Sequence, residues 1–441
     1  MRSKQISNLD RLTLAIGLHQ QGQLDEAEKI YRSVLKKQPS NPDALHFLGV
    51  LLHQNGQSAD AISCINRALR INPQYLDARM NLGNIYKETG DMQKAADIFR
   101  MVIALTPDHA NAYNNLGVVL RNRNELEESV QVLQKALELA PDNPDVLHNL
   151  GNSYQDQDEI SKAADAYQRS IDLKPYQKDA YESLWKMLRR KGHQDAATNV
   201  LIKWQAVDPE DPIAKHHYSA CVGGVIPDRA SDAYIQETFD KFAASFDDVL
   251  TKLDYRAPEL VAQALAKVFP RPASDLFILD AGCGTGLCGP LLKPYAKALI
   301  GVDLSSAMLN KAKGRKCYGK LTEADLVEFL NHDSIALDLI VSADTLCYFG
   351  ELRTFFQAAQ HALGVTGYLI FTLEKTETSD DKGFKLHHHG RYSHTEAYVS
   401  ATLAVCGFTL QSIEHVILRQ EAGEPVAGLL ITAAKCTEIN S

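Results

Sequence analysis

Positive charge is in short supply in this chain. Its 46 lysines and arginines stand against 55 aspartates and glutamates, a formal net charge of −9 over 441 residues. General binders of nucleic acid or of anionic membranes carry a basic face that attracts phosphate, so neither partner is expected. Long apolar runs are also lacking. No stretch approaches the ~20 residues that cross a bilayer, so no membrane insertion is expected. The opening Met1–Asp10 has no apolar core of the kind a secretory signal needs, and a cytoplasmic location is expected. Eight cysteines are scattered without a paired spacing, as small buried thiols in a reducing compartment are. His216, His217 and Cys221 lie close together but lack a fourth ligand at useful spacing, so no metal is expected.

Proline is infrequent, with 16 residues, yet six of them are regular. Pro39, Pro73, Pro107, Pro141, Pro175 and Pro209 fall at steps of 34 residues. Leu14, Leu48, Leu82, Leu116, Leu150 and Leu184 keep the same step, followed by Gly49, Gly83, Gly117 and Gly151 in the middle copies. A small residue recurs at Ala27, Ala61, Ala95, Ser129, Ala163 and Ala197, and four positions later comes a large apolar one, from Tyr31 to Leu201. This is the pattern of a helical hairpin. Glycine beside leucine lets two helices cross closely, the later small residue receives the next hairpin, and proline closes the second helix. Gly22, Gly56, Gly90 and Gly192, with Asn124 and Asp158 in their place, suit the left-handed turn between helices.

That period resembles the tetratricopeptide repeat, six copies over about residues 8–210. The resemblance implies a superhelix whose groove binds peptides or protein partners. Asn81, Asn115 and Asn149 recur once per repeat on the first helices, where an amide offers both donor and acceptor to an extended peptide. Residues 211–234 read as a capping helix and linker.

From residue 235 the pattern changes to alternating strand and helix, which predicts a mainly parallel sheet covered on both faces. Strands are expected at 276–281, 298–303, 318–323, 337–343, 367–373, 409–418 and 427–435, the last two as a terminal hairpin. Phe239, Phe242, Phe246, Leu250, Leu253 and Tyr255 recur at helical spacing and read mainly as packing, with Tyr255 and Arg256 placed to fold over a pocket.

The first strand ends in Asp280 and a turn with glycine at 282, 284 and 286, Cys283 lying between the first two. Such a turn brings backbone close to a ligand. Asp303, 21 residues after Gly282, closes the second strand, where an acid accepts hydrogen bonds from ribose hydroxyls. Asp325 after the third strand suits an exocyclic adenine amine, with Leu304, Met308 and Leu326 against the ring. Asp344 follows the fourth strand. Leu287 stands where a dinucleotide fingerprint has its third glycine, and carboxylates so near disfavour a pyrophosphate.

These residues resemble the class I S-adenosylmethionine-dependent methyltransferases over about residues 235–436. The whole chain is similar to the bacterial tetratricopeptide-repeat methyltransferases, with Phe239-Asp240, Gly390-Arg391-Tyr392 and the 419–428 segment adding to the likeness. The expected fold is therefore multi-domain: an all-α repeat superhelix followed by a doubly wound, Rossmann-like α/β domain. The resemblance implies S-adenosyl-L-methionine as methyl donor and S-adenosyl-L-homocysteine as product. Acceptor-side candidates are Tyr348, Glu374, His387, His388, His389, Arg391, Tyr392 and His394. Of these His387, His394, Tyr348 and Tyr392 are the expected catalytic set, although the histidine segment also suits a solvated loop or a metal. Asp344-Thr-Leu-Cys-Tyr348 departs from the Asn/Asp-Pro-Pro-Tyr of enzymes that methylate base amines or planar amides. Three functions stay open: a methyltransferase whose repeats recruit a protein substrate, a small-molecule O-, N- or C-methyltransferase docked to an assembly, and a scaffold retaining only the pocket.

Overall fold

The computed structural model describes residues 8–332, 336–377 and 382–436. The first seven residues of the stretch read for a signal, and the last five of the 235–441 domain, lie outside the described residues. The chain divides into two compact units, Met1–Val200 and Leu201–Ser441.

The first unit is built of helical hairpins. Pro42–Gln54 pairs with Ser58–Ile71, Leu76–Glu88 with Met92–Leu105, Ala110–Asn122 with Leu126–Leu139, and Pro144–Asp156 with Ile160–Leu173. Between partners the chain reverses at Gly56, Gly90, Asn124 and Asp158, all at positive φ. Each repeat proline follows the second helix by two residues, where its missing N–H and fixed φ stop continuation.

The repeat glycines explain the tightness of each hairpin. A Cβ on Gly83 would lie 2.6 Å from the Phe99 ring, and one on Gly117 would lie 2.4 Å from Leu133. The large residue of the second helix therefore occupies the space that glycine leaves. Ala61, Ala95, Ser129 and Ala163 are fully buried, and the Ser129 hydroxyl meets both the Gly117 carbonyl and Ser153 of the next repeat.

The asparagines expected to meet a peptide are turned along the array. Asn81 Nδ2 lies 2.8 Å from His46 Nε2, Asn115 donates to Asn84, and Asn149 donates to Asn114. Polar side chains of neighbouring repeats thus satisfy these amides.

Among the described residues the second unit carries a nine-stranded sheet: β1 (Leu276–Ala281), β2 (Ala296–Asp303), β3 (Lys320–Glu323), β4 (Leu337–Ser342), β5 (Leu363–Lys375), β6 (Phe384–Leu386), β7 (Tyr392–His394), β8 (Phe408–Glu421) and β9 (Glu424–Lys435). The strands β3-β2-β1-β4-β5 run parallel. The antiparallel β9 covers residues 368–374 of β5 and carries β8 outside it. Side chains alternate between faces, as the pleat requires. Ile278, Leu299, Leu339 and Ile370 pack toward the helix Ala257–Val268. Leu279, Ile300, Ile340 and Phe371 pack toward the helices Arg353–Ala362 and Glu396–Val405.

One expectation is corrected here. Residues 384–394 form a hairpin of two three-residue strands, β6 and β7, with β7 parallel to the end of β5, rather than an open loop. The helix that follows is capped by Thr395. The segment read as cap and linker is docked on the sheet unit. The Asp228 carbonyl accepts from the amides of Gly350 and Glu351, and Ala230 N donates to the Tyr348 carbonyl. His216, on the helix Pro212–Cys221, lies 2.8 Å from the Gly390 carbonyl.

Candidate active site

β1 lies between β2 and β4, so chain order reverses at its carboxyl end. A crevice opens at such a switch point. The chain leaves β1 through Gly282 at φ +74, where a Cβ would stand 2.2 Å from Thr345. Only glycine fits both the conformation and the contact. The amides of Gly282 and Cys283 donate to the Val302 carbonyl, locking the turn against β2.

Asp303 ends β2 with both carboxylate oxygens on backbone amides. Oδ2 accepts from Gly284 N at 2.9 Å and Oδ1 from Ser305 N at 2.8 Å. Burial raises its pKa, and those same amides pull it back toward the charged form. Asp280 is 1% exposed and accepts from the Tyr318 hydroxyl at 2.7 Å. Burial pushes its carboxyl up to about 7, with the Tyr318 bond opposing and the Asp303 charge adding.

Asp280, Gly282, Cys283, Gly284, Asp303, Leu304, Met308, Asp325, Leu326, Asp344 and Tyr348 all line one cavity of about 200 Å³. Gly286 lies behind it, where a Cβ would press on Tyr318 at 2.9 Å. Asp325 is partly committed: Oδ1 accepts from the amides of Val327 and Glu328, and Oδ2 is paired with Arg229.

The expected catalytic set is not together. Tyr348 lines the cavity, whereas His387, Tyr392 and His394 do not. His394 is fully buried on β7, 3.0 Å from the Gly350 carbonyl, and burial pushes it down to about 4. Tyr392 donates to the Pro227 carbonyl at 2.8 Å, and His387 Nε2 lies 2.6 Å from Ser393 Oγ. Tyr392 and His394 hold the hairpin to its surroundings, and His387 bonds within it. Burial also pushes the Tyr348 phenol well above its ordinary value, which keeps it protonated.

Several cavity residues escaped the sequence reading. Phe239, Phe242 and Phe246 line the cavity instead of only packing against helices, and Tyr255, expected over the pocket, does line it. Arg256 does not; its amide is tied to the Leu418 carbonyl. Arg229, from the supposed linker, and Arg419 and Glu421, from β8, are also in the wall. Arg419 is 3% exposed and uses Nε on Glu421, one Nη on Asp344 and the other on Glu374. Arg391 adds Nε to Glu374 at 2.5 Å and Nη2 to Glu421 at 2.6 Å. Asp344 holds this cluster from a positive φ of 57°, with its amide on Thr372 Oγ1. The sequence marked Arg419 only as the first residue of the 419–428 segment.

A parallel sheet of this order, closed by an antiparallel pair and opening at a glycine turn flanked by Asp303, has the class I methyltransferase fold. Comparison with known proteins agrees. Residues 279–369 match the family described as a methyltransferase domain. Residues 12–75, 54–108, 119–158 and 144–177 match tetratricopeptide-repeat families. The chain joins tetratricopeptide repeats to a class I methyltransferase domain. Methyltransferase-like protein 27 of Homo sapiens is 37% identical over 98 residues, 22% of this chain and 39% of that protein. The 18S rRNA (guanine-N(7))-methyltransferase RID2 of Arabidopsis thaliana is 35% identical over 95 residues, 22% of this chain and 31% of that protein. The chain thus spans between three and four tenths of the length of these relatives. Among solved structures, Pseudomonas aeruginosa pilF overlays at a TM-score of 0.41 with 18% identity, over 47% of this chain and 95% of that one. Among the described residues, no helix is long and apolar enough to cross a membrane, and no cluster of three or more His, Cys, Asp or Glu side chains has metal-site geometry.

Proposed function

We propose that this protein is an S-adenosylmethionine-dependent methyltransferase whose repeats recruit a protein substrate. The observation that carries the cofactor assignment is Asp303, held by the Gly284 and Ser305 amides at the rim of the cavity. A carboxylate so fixed suits a ribose diol. The donor set also fits a ligand that carries cationic groups and no phosphate, because Asp280 and Asp303 flank the glycine turn where a pyrophosphate would need positive charge.

On this reading Gly282, Gly284 and Asp303 hold the ribose side of the cofactor. Asp325, Leu304, Met308 and Leu326 hold the adenine, and Asp280 faces the amino-acid end. The bound cofactor supplies an electrophilic methyl group on a sulfonium centre, for which alignment and exclusion of water give most of the acceleration. The aromatic wall of Phe239, Phe242 and Phe246 excludes water. Tyr348, protonated, donates a hydrogen bond toward the acceptor without removing its proton.

The recruiting role rests on the repeat matches. Incubating the full chain with methyl-labelled cofactor and cell extract separates the protein-substrate reading from the small-molecule one. Label in precipitable protein supports the first, and label only in small molecules supports the second.

Calorimetry with S-adenosylhomocysteine tests the cofactor assignment directly. Asp303→Ala is expected to weaken binding about 30-fold, the roughly 2 kcal/mol that a charged hydrogen-bonding partner contributes. Unchanged affinity rejects the assignment of Asp303. Binding of NAD in place of S-adenosylmethionine rejects the cofactor.

A further inference from the structure

The ion-pair cluster beside Tyr348 does not balance. Asp344, Glu374 and Glu421 contribute three carboxylates, and Arg391 and Arg419 two guanidiniums. A further basic group among the described residues, His389, lies 3.8 Å from Glu374. Burial and the two arginines keep it neutral, with its pKa pushed down to about 2. The core of the cluster is withdrawn from water, with the side chains of Arg419 and Glu374 3% and 6% exposed, while Asp344 and Glu421, at 14% and 33%, bring its negative edge to the cavity wall. A buried charge without a counter-ion is unfavourable, and a cation arriving from outside relieves it.

An anionic ligand meets the opposite situation. Arg419 already places all three nitrogens on carboxylates, and Arg391 places two groups on Glu374 and Glu421. Elsewhere on the wall Asp232 and Asp325 share Arg229, while among the described residues no arginine pairs with Asp280 or Asp303.

A second feature is independent of that count. Tyr348, Phe239, Phe246 and Phe242 form a run along the cavity wall, with successive ring centroids 5.4, 6.1 and 5.3 Å apart in edge geometry. Aromatic faces attract ammonium groups and give nothing to anions.

We propose that the part of the cavity between this aromatic run and the Asp344–Arg419–Glu421 cluster binds an acceptor bearing a cationic alkyl amine, and rejects anionic acceptors. The inference rests on the methyltransferase reading and names the acceptor class for the same site. It separates this chain from any acceptor embedded in a polyanion, such as the rRNA in the name of one relative.

Three isosteric probes decide it: phenethylamine, 2-phenylethanol and phenylacetate, titrated by calorimetry into the full-length protein saturated with S-adenosylhomocysteine. Phenethylamine is expected to bind at least about tenfold more tightly than the alcohol, and phenylacetate more weakly than both, as a close charge–charge difference in a low-dielectric site implies. Glu421→Gln should reduce the preference for amine over alcohol several-fold. Equal binding of amine and alcohol, tighter binding of phenylacetate, or no binding of any probe at millimolar concentration overturns the proposal. So does methylation of an RNA transcript in preference to amines. The wild-type comparison stands even if the variant does not fold. Failure of S-adenosylhomocysteine to bind at all would instead remove the cofactor reading.

Discussion

Thr285 donates its hydroxyl to Asp247 Oδ1 at 2.5 Å, joining the glycine turn after β1 to a helix 38 residues earlier in the chain. Asp247 Oδ2 also pairs with Arg315 at 2.5 Å. One helix back, Asp240 accepts from Ser305 Oγ and from the Ala307 amide. The helices Asp232–Phe242 and Phe246–Lys252 are thus fastened to the turns after β1 and β2, and their aromatic residues line the cavity.

If those fastenings hold a cover over the cofactor, removing one speeds release. Asp247→Ala is expected to raise the dissociation rate of S-adenosylhomocysteine about fivefold, since two bonds to a half-exposed carboxylate contribute roughly 1 kcal/mol after solvent screening. Stopped-flow displacement measures this. A dissociation rate equal to wild type shows that the cover does not control release.

The strands from β1 to β5 were legible because each is a short apolar run bounded by turn residues, and Leu276–Ala281 has the expected limits. Asp280, Asp303 and Asp344 could be placed from strand ends alone. The hairpin of β6 and β7 was not legible: three residues are too few to show alternation, and polar histidines carry no strand preference. For that reason His394 read as a reactive side chain although it is fully buried. The run Phe239, Phe242, Phe246 revealed an apolar helical face, but periodicity does not say whether such a face meets protein or a cavity. Arg419 depends on partners 45 and 75 residues away, which no local pattern encodes.

The repeat glycines give a prediction for stability. Gly83→Ala puts a Cβ 2.6 Å from the Phe99 ring, so the hairpin must open or the ring must leave its place. Overpacking of this kind costs about 2 kcal/mol. Gly56→Ala meets no atom within 4 Å and suffers only from its φ of +77, a cost of about 1 kcal/mol. Urea melts followed by helical circular dichroism should therefore rank Gly83→Ala below Gly56→Ala. The reverse order would mean that turn conformation, not close helix crossing, limits the array.

His394 supplies a test with a defined sign. Its folded pKa is pushed down to about 4 from the ordinary 6.5, chiefly by burial and against its contact with the Gly350 carbonyl. A depressed histidine takes its proton first in the unfolded chain, so its contribution is complete above about pH 6.5 and fades as pH falls toward 4. The full span is roughly 3 kcal/mol. Asp280 works in the opposite direction: its carboxyl, raised to about 7, takes up a proton in the folded state first and favours folding on acidification. The wild-type curve alone therefore mixes the two. The difference in unfolding free energy between wild type and His394→Gln isolates the histidine, and it should shrink by about 3 kcal/mol between pH 7 and pH 4. At pH 7 the variant should keep its affinity for S-adenosylhomocysteine, because His394 lies outside the cavity wall. A variant that loses methyl transfer while showing no change in the pH slope would return His394 to the reaction, and a parallel shift of both curves would leave it as a packing residue without a titrating role.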